Sequence, residues 1–252
     1  MKPYPEWVKK ELLDFGIQLT DRPEEGRTLS HLFVEENGSK LLASEKAAMH
    51  APNLVVAASM FSKRYAYLVV SSSLYMMTKY NGLYQFPPEA CSFREDRKLS
   101  LDQTNCVLAM LEGDRAEWRK EVVKSLFTES VTPLLHMLHR VSRLPYSILW
   151  ENIAVRINSN YKSMMAEETD PLLKERIRDD YLFLKQADGD IFGWADNPFQ
   201  ASLNLDEALL QTGERKTCCM YYKLEKKAES LDYCLVCPLE KKHQANKKDT
   251  AC

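Results

Sequence analysis

Four cysteines near the C-terminus are the residues best suited to chemistry in this sequence. Cys218 and Cys219 are adjacent, whereas Cys234 and Cys237 are separated by two residues. Four thiolates satisfy either one tetrahedral zinc ion or the two irons of a [2Fe-2S] cluster. Only the second pair has the spacing of a zinc knuckle, and adjacent cysteines face opposite sides of an extended chain unless the backbone is irregular. The pattern therefore indicates one metal site and leaves zinc and the cluster both open.

The other cysteines do not indicate a disulfide scaffold. Cys91, Cys106 and Cys252 are scattered, and the total of seven cysteines is odd. We expect two buried structural cysteines and one thiol in the tail. The opening residues, MKPYPEWVKK, are polar and contain prolines, which is unlike a secretory leader. These features predict reduced thiols and a cytoplasmic location.

Composition narrows the class of protein. The chain has 252 residues, of which 45% are hydrophobic and 28% charged, and its formal net charge is -2. Such a chain is typical of soluble globular proteins and has no overall attraction to nucleic acid or anionic lipid. No apolar run approaches the roughly 18 residues that cross a bilayer, and no glycine-rich phosphate loop for NAD(P)H or ATP is visible. We therefore expect no nucleic-acid partner and no transmembrane segment, with any electrons supplied by another protein.

Helical periodicity dominates the sequence ahead of the cysteines. The predicted helical stretches, most of which begin at a proline, are Pro5–Phe15, Pro52–Tyr80, Asp114–Arg143, Pro145–Glu168 and Pro171–Ala187. Pro133 is expected to divide the third stretch into two pieces, because proline opens a helix more readily than it continues one. Gln85–Leu111 has two prolines and short apolar runs, which favours strands or an irregular crossing, and Gly189–Gln200 is predicted to be a loop.

These patterns predict an α+β protein with a mostly helical body, a small β-sheet and a short C-terminal cysteine-rich cluster-binding segment. We place the body in residues 1–200 and the cysteine segment with its basic tail in residues 201–252. The segment is expected to fold against the body rather than to form a free domain.

Several motifs occur in an order that resembles a known family. They are SMFSKRYAYLV with Arg64 and Tyr65, SILWENIAVRI with Trp150 and Asn152, the loop Asn197-Pro198-Phe199, and the four cysteines followed by proline and leucine. This order resembles the FhuF-type siderophore-iron reductases from about residue 50 onward, with the cysteine signature as its most specific part. One departure is the gap between the cysteine pairs, Met220–Tyr233, which is longer than in the family pattern. A charged turn at Glu225–Glu229 could absorb the difference.

The resemblance implies a cytosolic ferric-siderophore reductase that transfers one electron to Fe(III) and releases Fe(II). It also implies that the four cysteines hold a [2Fe-2S] cluster and so form the catalytic centre, and that the siderophore is of the hydroxamate type. Fe(III) suits anionic oxygen ligands, which hold Fe(II) much more weakly, so that reduction releases the metal.

An oxygen-rich ferric chelate is best held by arginine together with aromatic surfaces. The candidate substrate-binding residues are Arg64, Trp150, Asn152, Arg156 and Trp194. Structural roles are open for several of them as well. Trp150 lies in an apolar helical stripe, Asn152 could link two helices, and Arg64 could pair with an acid across a helix interface.

Basic residues outnumber acidic ones around the cysteines, with nine against four between Arg215 and Lys248. Such a basic rim would steer an acidic ferredoxin or flavodoxin as electron donor, although a lysine-rich tail that only aids solubility is the alternative. Arg215, Lys216 and the backbone amides around Cys218 and Cys219 are candidate hydrogen-bond donors to the sulfurs, and a solvated charged face is the alternative role for the two side chains. His136 and His139 share one helix face, but no acidic partner at helical spacing completes a metal motif, so we expect them to face a groove or the core.

Two other functions match part of the sequence. A helical binding or regulatory module with a structural zinc site would use the same cysteines and would be colourless. A siderophore-assembly enzyme is suggested because the helical body also resembles the C-terminal part of synthetases that join citrate to amines or hydroxylamines. The lack of a nucleotide loop and the short chain weigh against the synthetase, so we predict the reductase.

Overall fold

The computed structural model describes residues 5–22, 24–84, 86–106, 108–206, 211–225 and 233–240. Much of the predicted basic rim, namely Lys226, Lys227 and the tail from Lys241 to Cys252, lies outside these residues. The rim therefore stays a prediction, as does the tail thiol of Cys252.

Helices make up most of the described chain, as predicted. They are α1 (Glu6–Asp14), α2 (Leu29–Leu32), α3 (Glu35–Ala48), α4 (Leu54–Tyr65), α5 (Ser72–Tyr80), α6 (Arg115–Ser125), α7 (Thr132–Ser142), α8 (Tyr146–Glu167) and α9 (Pro171–Gln186). Two short 3₁₀ turns, Gly189–Phe192 and Tyr221–Lys223, follow. The first of them lies inside the predicted loop, and α3 was not predicted. No helix in the described ranges has the length and apolar character needed to cross a membrane.

Two long helices contain a π-helical turn near their middle. Ala66–Ser71 joins α4 to α5, and Leu126–Val131 joins α6 to α7, in both cases without a break. The division predicted at Pro133 is such a π turn. Pro133 lies in the first turn of α7, where its missing N–H leaves one helical hydrogen bond unmade. The chain widens into a π turn ahead of it and continues in the same direction.

Local chemistry explains where several helices begin and end. The Asn53 side chain accepts a hydrogen bond from the Val56 N–H at 3.0 Å and caps α4. Asp170 accepts from the Leu172 N–H at 2.9 Å and caps α9, with Pro171 in the first turn. Asn81 ends α5 with φ 49°, the left-handed conformation that the predicted Asn-Gly stop requires.

The strands form small sheets beside the helices. They are β1 (Ile17–Thr20), β2 (Gly82–Tyr84), β3 (Cys91–Phe93), β4 (Leu99–Asp102), β5 (Leu108–Met110), β6 (Leu205–Asp206) and β7 (Gln211–Thr212). The strands predicted in Gln85–Leu111 are confirmed by β3, β4 and β5. The three-stranded sheet has the order β1-β4-β3, with β1 parallel to β4, and β1 was not predicted. Cys91 and Cys106 are buried, as expected of structural cysteines.

A buried ionic network joins the helices on one side of the core. The carboxylate of Asp180, on α9, is fully buried and accepts two hydrogen bonds from Arg115 at 2.8 Å. Arg119 donates to the same carboxylate at 3.0 Å, and the Thr78 hydroxyl donates at 2.9 Å. This network connects α5, α6 and α9, and the cysteines take no part in it. It is a structural device of the helical body.

Candidate functional site

The structure places the two cysteine pairs predicted to bind metal at the same edge of the helical body. The Sγ atoms of Cys219 and Cys234 are 3.5 Å apart, and the Cys237 N–H donates to the Cys234 carbonyl at 3.0 Å. The charge of Cys237 also acts on the thiols of both Cys218 and Cys234. Cys219 and Cys237 are buried, and the other two are half-buried. Two pairs that are distant in sequence thus share one neighbourhood at the edge of the body.

An irregular backbone follows the adjacent cysteines, as their spacing requires. Met220 has φ 63°, in the left-handed region that residues other than glycine seldom occupy. Its N–H donates a hydrogen bond to the Sγ of Cys218 at 3.3 Å. The sharp turn therefore places a backbone donor on a sulfur, which is a contact that stabilises a metal-bound thiolate.

Positive charge from the helical body reaches the sulfurs. Lys63, on α4, has its Nζ 3.6 Å from the Sγ of Cys219 and also lies over the ring of Tyr221. The hydrogen bond with Cys234 lowers the pKa of Cys219 to about 5, with further lowering by Lys63 and Arg215. The same hydrogen bond raises the pKa of Cys234. These interactions favour the thiolate form of Cys219, the form in which cysteine binds metal.

A buried glutamate on α8 fastens the chain just ahead of the cysteines. The Glu151 carboxylate accepts hydrogen bonds from the N–H of Lys216, from the hydroxyl of Thr217 and, at 2.8 Å, from the N–H of Thr217. It also pairs with Arg215, whose Nε lies 3.5 Å away. Sequence reasoning missed this residue, although an acid within the apolar stretch of α8, between Trp150 and Asn152, was a signal for it. Glu151 holds the first cysteine pair against the body.

Asn152 is buried and reaches the cysteines indirectly. Its Nδ2 donates to the carbonyl and hydroxyl oxygens of Ser59, both at 3.1 Å, and to the hydroxyl of Ser62 at 2.9 Å. The hydroxyl of Ser59 in turn donates to the carbonyl of Cys219 at 2.8 Å. Asn152 therefore links α8 to α4, which is the structural role left open for it, and supports the backbone of Cys219 through Ser59.

The two predicted tryptophans belong to an aromatic cluster in the core. The Trp150 ring is 5.6 Å from that of Trp194 and 5.5 Å from that of Phe199, measured between centroids. Trp194 is half-buried, and its ring is 4.8 Å from that of Tyr146. Tyr146 also contacts the two histidines. The Nδ1 of His136 lies 2.8 Å from the Tyr146 hydroxyl, and the His139 ring stacks on the Tyr146 ring with centroids 4.2 Å apart. The substrate contact of either tryptophan stays a prediction.

Two arginines lie around a single tyrosine on the first π turn. The guanidinium groups of Arg64 and Arg156 are 5.7 Å and 5.8 Å from the centroid of the Tyr67 ring. Arg64 also donates to the carbonyl of Arg97 at 2.8 Å. In this contact the partner of Arg64 is thus a backbone oxygen, and not the acid across a helix interface that the sequence left open.

An open groove of about 600 Å³ lies beside the cysteines. One side of α8 and residues 233–236, including the thiol-bearing Cys234, line it together with Lys63 and Arg215. Of the predicted substrate-binding residues, the structure places Arg156 in this lining, whereas Arg64, Trp150, Asn152 and Trp194 lie outside it. The volume falls within the range of small-molecule sites, and the groove gives such a molecule access to the cysteines.

Within the described residues, no three side chains of His, Cys, Asp or Glu are arranged as the ligands of one metal ion. The donor set is four thiols, with backbone and lysine N–H groups directed at two of the sulfurs. Such contacts stabilise thiolate ligands of zinc as well as those of an iron–sulfur cluster, so the donor set fits both.

Comparison with known proteins gives one family and no individual relative. A family described as ferric iron reductase FhuF-like transporter matches residues 59–210. The match covers more than half of the chain and ends before Cys218, so it rests on the helical body. No curated protein matches the chain.

Proposed function

Because the chain belongs to the FhuF-like ferric iron reductase family, we propose that it reduces Fe(III) bound to a siderophore with hydroxamate groups and releases Fe(II). The observation that carries the proposal is the groove beside the cysteines, since it lets a chelate of siderophore size approach Cys234. The balanced step is the transfer of one electron from a reduced carrier protein to Fe(III), which oxidises the carrier by one electron and leaves Fe(II). An acidic ferredoxin or flavodoxin is the proposed carrier, and the cytoplasm is the proposed location.

We propose that Cys218, Cys219, Cys234 and Cys237 hold a [2Fe-2S] cluster. When bound, such a cluster accepts and gives up one electron at a time. The thiolate of Cys219, the short distance to Cys234 and the N–H of Met220 support this choice of ligands. Seven of the fourteen residues between the two pairs, 226–232, lie outside the described residues.

The chain's own residues prepare both the sulfurs and the groove. Glu151 fixes the backbone of Thr217, so that the first cysteine pair keeps its position against α8. Lys63 places positive charge 3.6 Å from a sulfur, which stabilises the anionic form of that ligand. Arg156, in the wall of the groove, supplies a planar donor suited to the oxygens of a chelate.

The first test is spectroscopic. Protein purified without oxygen should show a visible absorption band that bleaches with dithionite, a rhombic EPR signal after reduction, and iron and sulfide in equal amounts. A colourless protein with one zinc per chain would overturn the redox proposal and favour the zinc module.

The second test links the cysteines to turnover. In C234S, colour and ferric-siderophore reduction should fall together while the far-ultraviolet circular dichroism stays unchanged. The matched control is C252S, which changes a cysteine outside the proposed ligands and should keep both. Loss of activity in C234S with full cluster content would contradict the assignment.

A further inference from the structure

The groove is lined by cations from several elements of the fold. They are Lys63 from α4, Arg156 and Lys162 from α8, and Arg215 from the cysteine segment. No described residue in its lining carries a carboxylate. The whole chain has a formal net charge of -2, so this concentration of positive charge is local.

These four cations divide into two groups by what they face. Lys63 and Arg215 act on the thiols, and Arg215 is also paired with Glu151 at 3.5 Å. Their charge is therefore largely committed to the sulfurs and to the carboxylate. Lys162 is exposed, and Arg156 contacts the ring of Tyr67 rather than an acid, so both can face a molecule in the groove, and Arg156 also interacts with the charge of Cys219.

Two guanidinium groups carry donors that the described residues leave unused. Arg215 is 4% exposed, and its Nη1 is buried without a hydrogen-bond partner among the described residues. The Nε of Arg156 is also buried without a hydrogen-bond partner among the described residues. Buried donors usually have a partner, so the free Nε of Arg156 is suited to an acceptor atom of a ligand, whereas Arg215 is already held by Glu151 and Thr217. Arg64 lies on the same tyrosine as Arg156, and the repulsion between these two cations favours an anion beside them.

From this arrangement we propose that the groove selects ferric chelates of net negative charge, in which carboxylate oxygens replace at least one hydroxamate. Three hydroxamates neutralise Fe(III), whereas a carboxylate-rich set leaves the chelate anionic. Carboxylates are also the groups that an arginine fork binds through two parallel hydrogen bonds. The inference rests on the proposed function, because it names the substrate class of the same groove.

Gallium chelates separate binding from electron transfer, since Ga(III) matches Fe(III) in charge but accepts no electron here. The probes are the Ga(III) complexes of a citrate-based dihydroxamate, which is anionic, of a neutral cyclic trihydroxamate, and of a linear trihydroxamate bearing one ammonium. Calorimetry on the metal-loaded protein at low salt should show the anionic complex binding at least tenfold more tightly than the other two. The advantage should shrink as salt is added, because exposed charges are screened.

Variants of Arg156 and Lys162 test whether the groove binds the anionic chelate. R156Q should weaken binding of the anionic complex by about tenfold or more, as expected for a charged hydrogen bond. K162Q should weaken it by about two- to fivefold, the range of an exposed ion pair. Both should leave binding of the neutral complex unchanged. K120Q, which removes an exposed lysine from α6, is the control and should change neither.

The outcomes separate the two proposals. Equal or tighter binding of the neutral complex at every salt concentration, or an equal loss for all complexes in K162Q and R156Q, would overturn the charge selection. Reduction of ferric siderophores without a charge preference would leave the reductase standing and refute this inference. Preferential binding of the anionic gallium complex, with no reduction of any ferric chelate, would support the inference on binding and overturn the reductase.

Discussion

Replacing Glu151 by glutamine should release the cysteine segment from the body while the body stays folded. The carboxylate accepts hydrogen bonds from the N–H groups of Lys216 and Thr217 and from the Thr217 hydroxyl, and it pairs with buried Arg215. The amide retains one acceptor oxygen, but its NH₂ group faces donors, and Arg215 loses its counter-charge. Breaking a buried ion pair on one side costs about 3–5 kcal/mol.

That cost translates into an exchange rate. At about 1.4 kcal/mol per factor of ten, the amides of Lys216 and Thr217 should exchange with solvent more than a hundredfold faster in E151Q. Amides of the core helices should change much less, because the opening is local. Hydrogen exchange followed by mass spectrometry, together with iron content per chain, measures both effects, and iron content should fall.

The same helix provides a matched control. E167Q makes the same chemical change at an exposed position near the end of α8 and should leave exchange and iron content as in the wild type. If the amides of Lys216 and Thr217 exchanged at nearly the wild-type rate in E151Q, the role of Glu151 in holding the cysteine segment against α8 would be refuted.

Three further changes probe other parts of the molecule. N152L should lower the free energy of unfolding by about 1–3 kcal/mol, because Ser59 loses its buried donor. Urea denaturation measures this free energy, and an unchanged value would show that the link between α8 and α4 is dispensable. D180N should lower the free energy of unfolding by about 3–5 kcal/mol, because Arg115 loses its charge partner. The spectrum of the metal site should be unchanged, and an altered spectrum would contradict the separation of the ionic network from the metal site. R64Q should weaken binding of a ferric chelate and leave the cluster spectrum alone, so that normal affinity with a changed spectrum would count against the predicted role of Arg64.

Local signals in the sequence account for the parts of the fold that were predicted. Pro171 marks the start of α9, and Asn81 marks the end of α5, because each imposes a backbone geometry that needs no distant partner. The approach of Cys234 to Cys219 agrees with the expectation that the two pairs come together, and the binding of one metal centre by all four cysteines stays a prediction. The family prediction is confirmed by the match to the helical body.

Features that depend on distant contacts were not predictable in the same way. Strand β1 pairs with β4, which begins at Leu99, and a four-residue run gives little periodicity to read. Glu151 resembles a helix-surface acid until its donors are known, and they lie about 65 residues later in the chain. Arg156 could be named from residue type, but its place in the groove required the packing of α8 against the cysteine segment.

The π turn between α4 and α5 separates two halves of one helix that serve different neighbours. Ser59 and Lys63, before the turn, contact Cys219, whereas Thr78, after it, contacts Asp180. A π turn contains one more residue than an α turn, so deletion of a single residue within Ala66–Ser71 restores an α turn and leaves the residues after it in nearly the same rotational position relative to those before it. Thr78 would still point toward Asp180, whereas deletion of one residue from the α-helical part between Ser72 and Thr78 would turn Thr78 by about 100° relative to Ser59 and Lys63. The π turn is thus the place in this helix where the chain can lose a residue with least change to the contacts at its two ends.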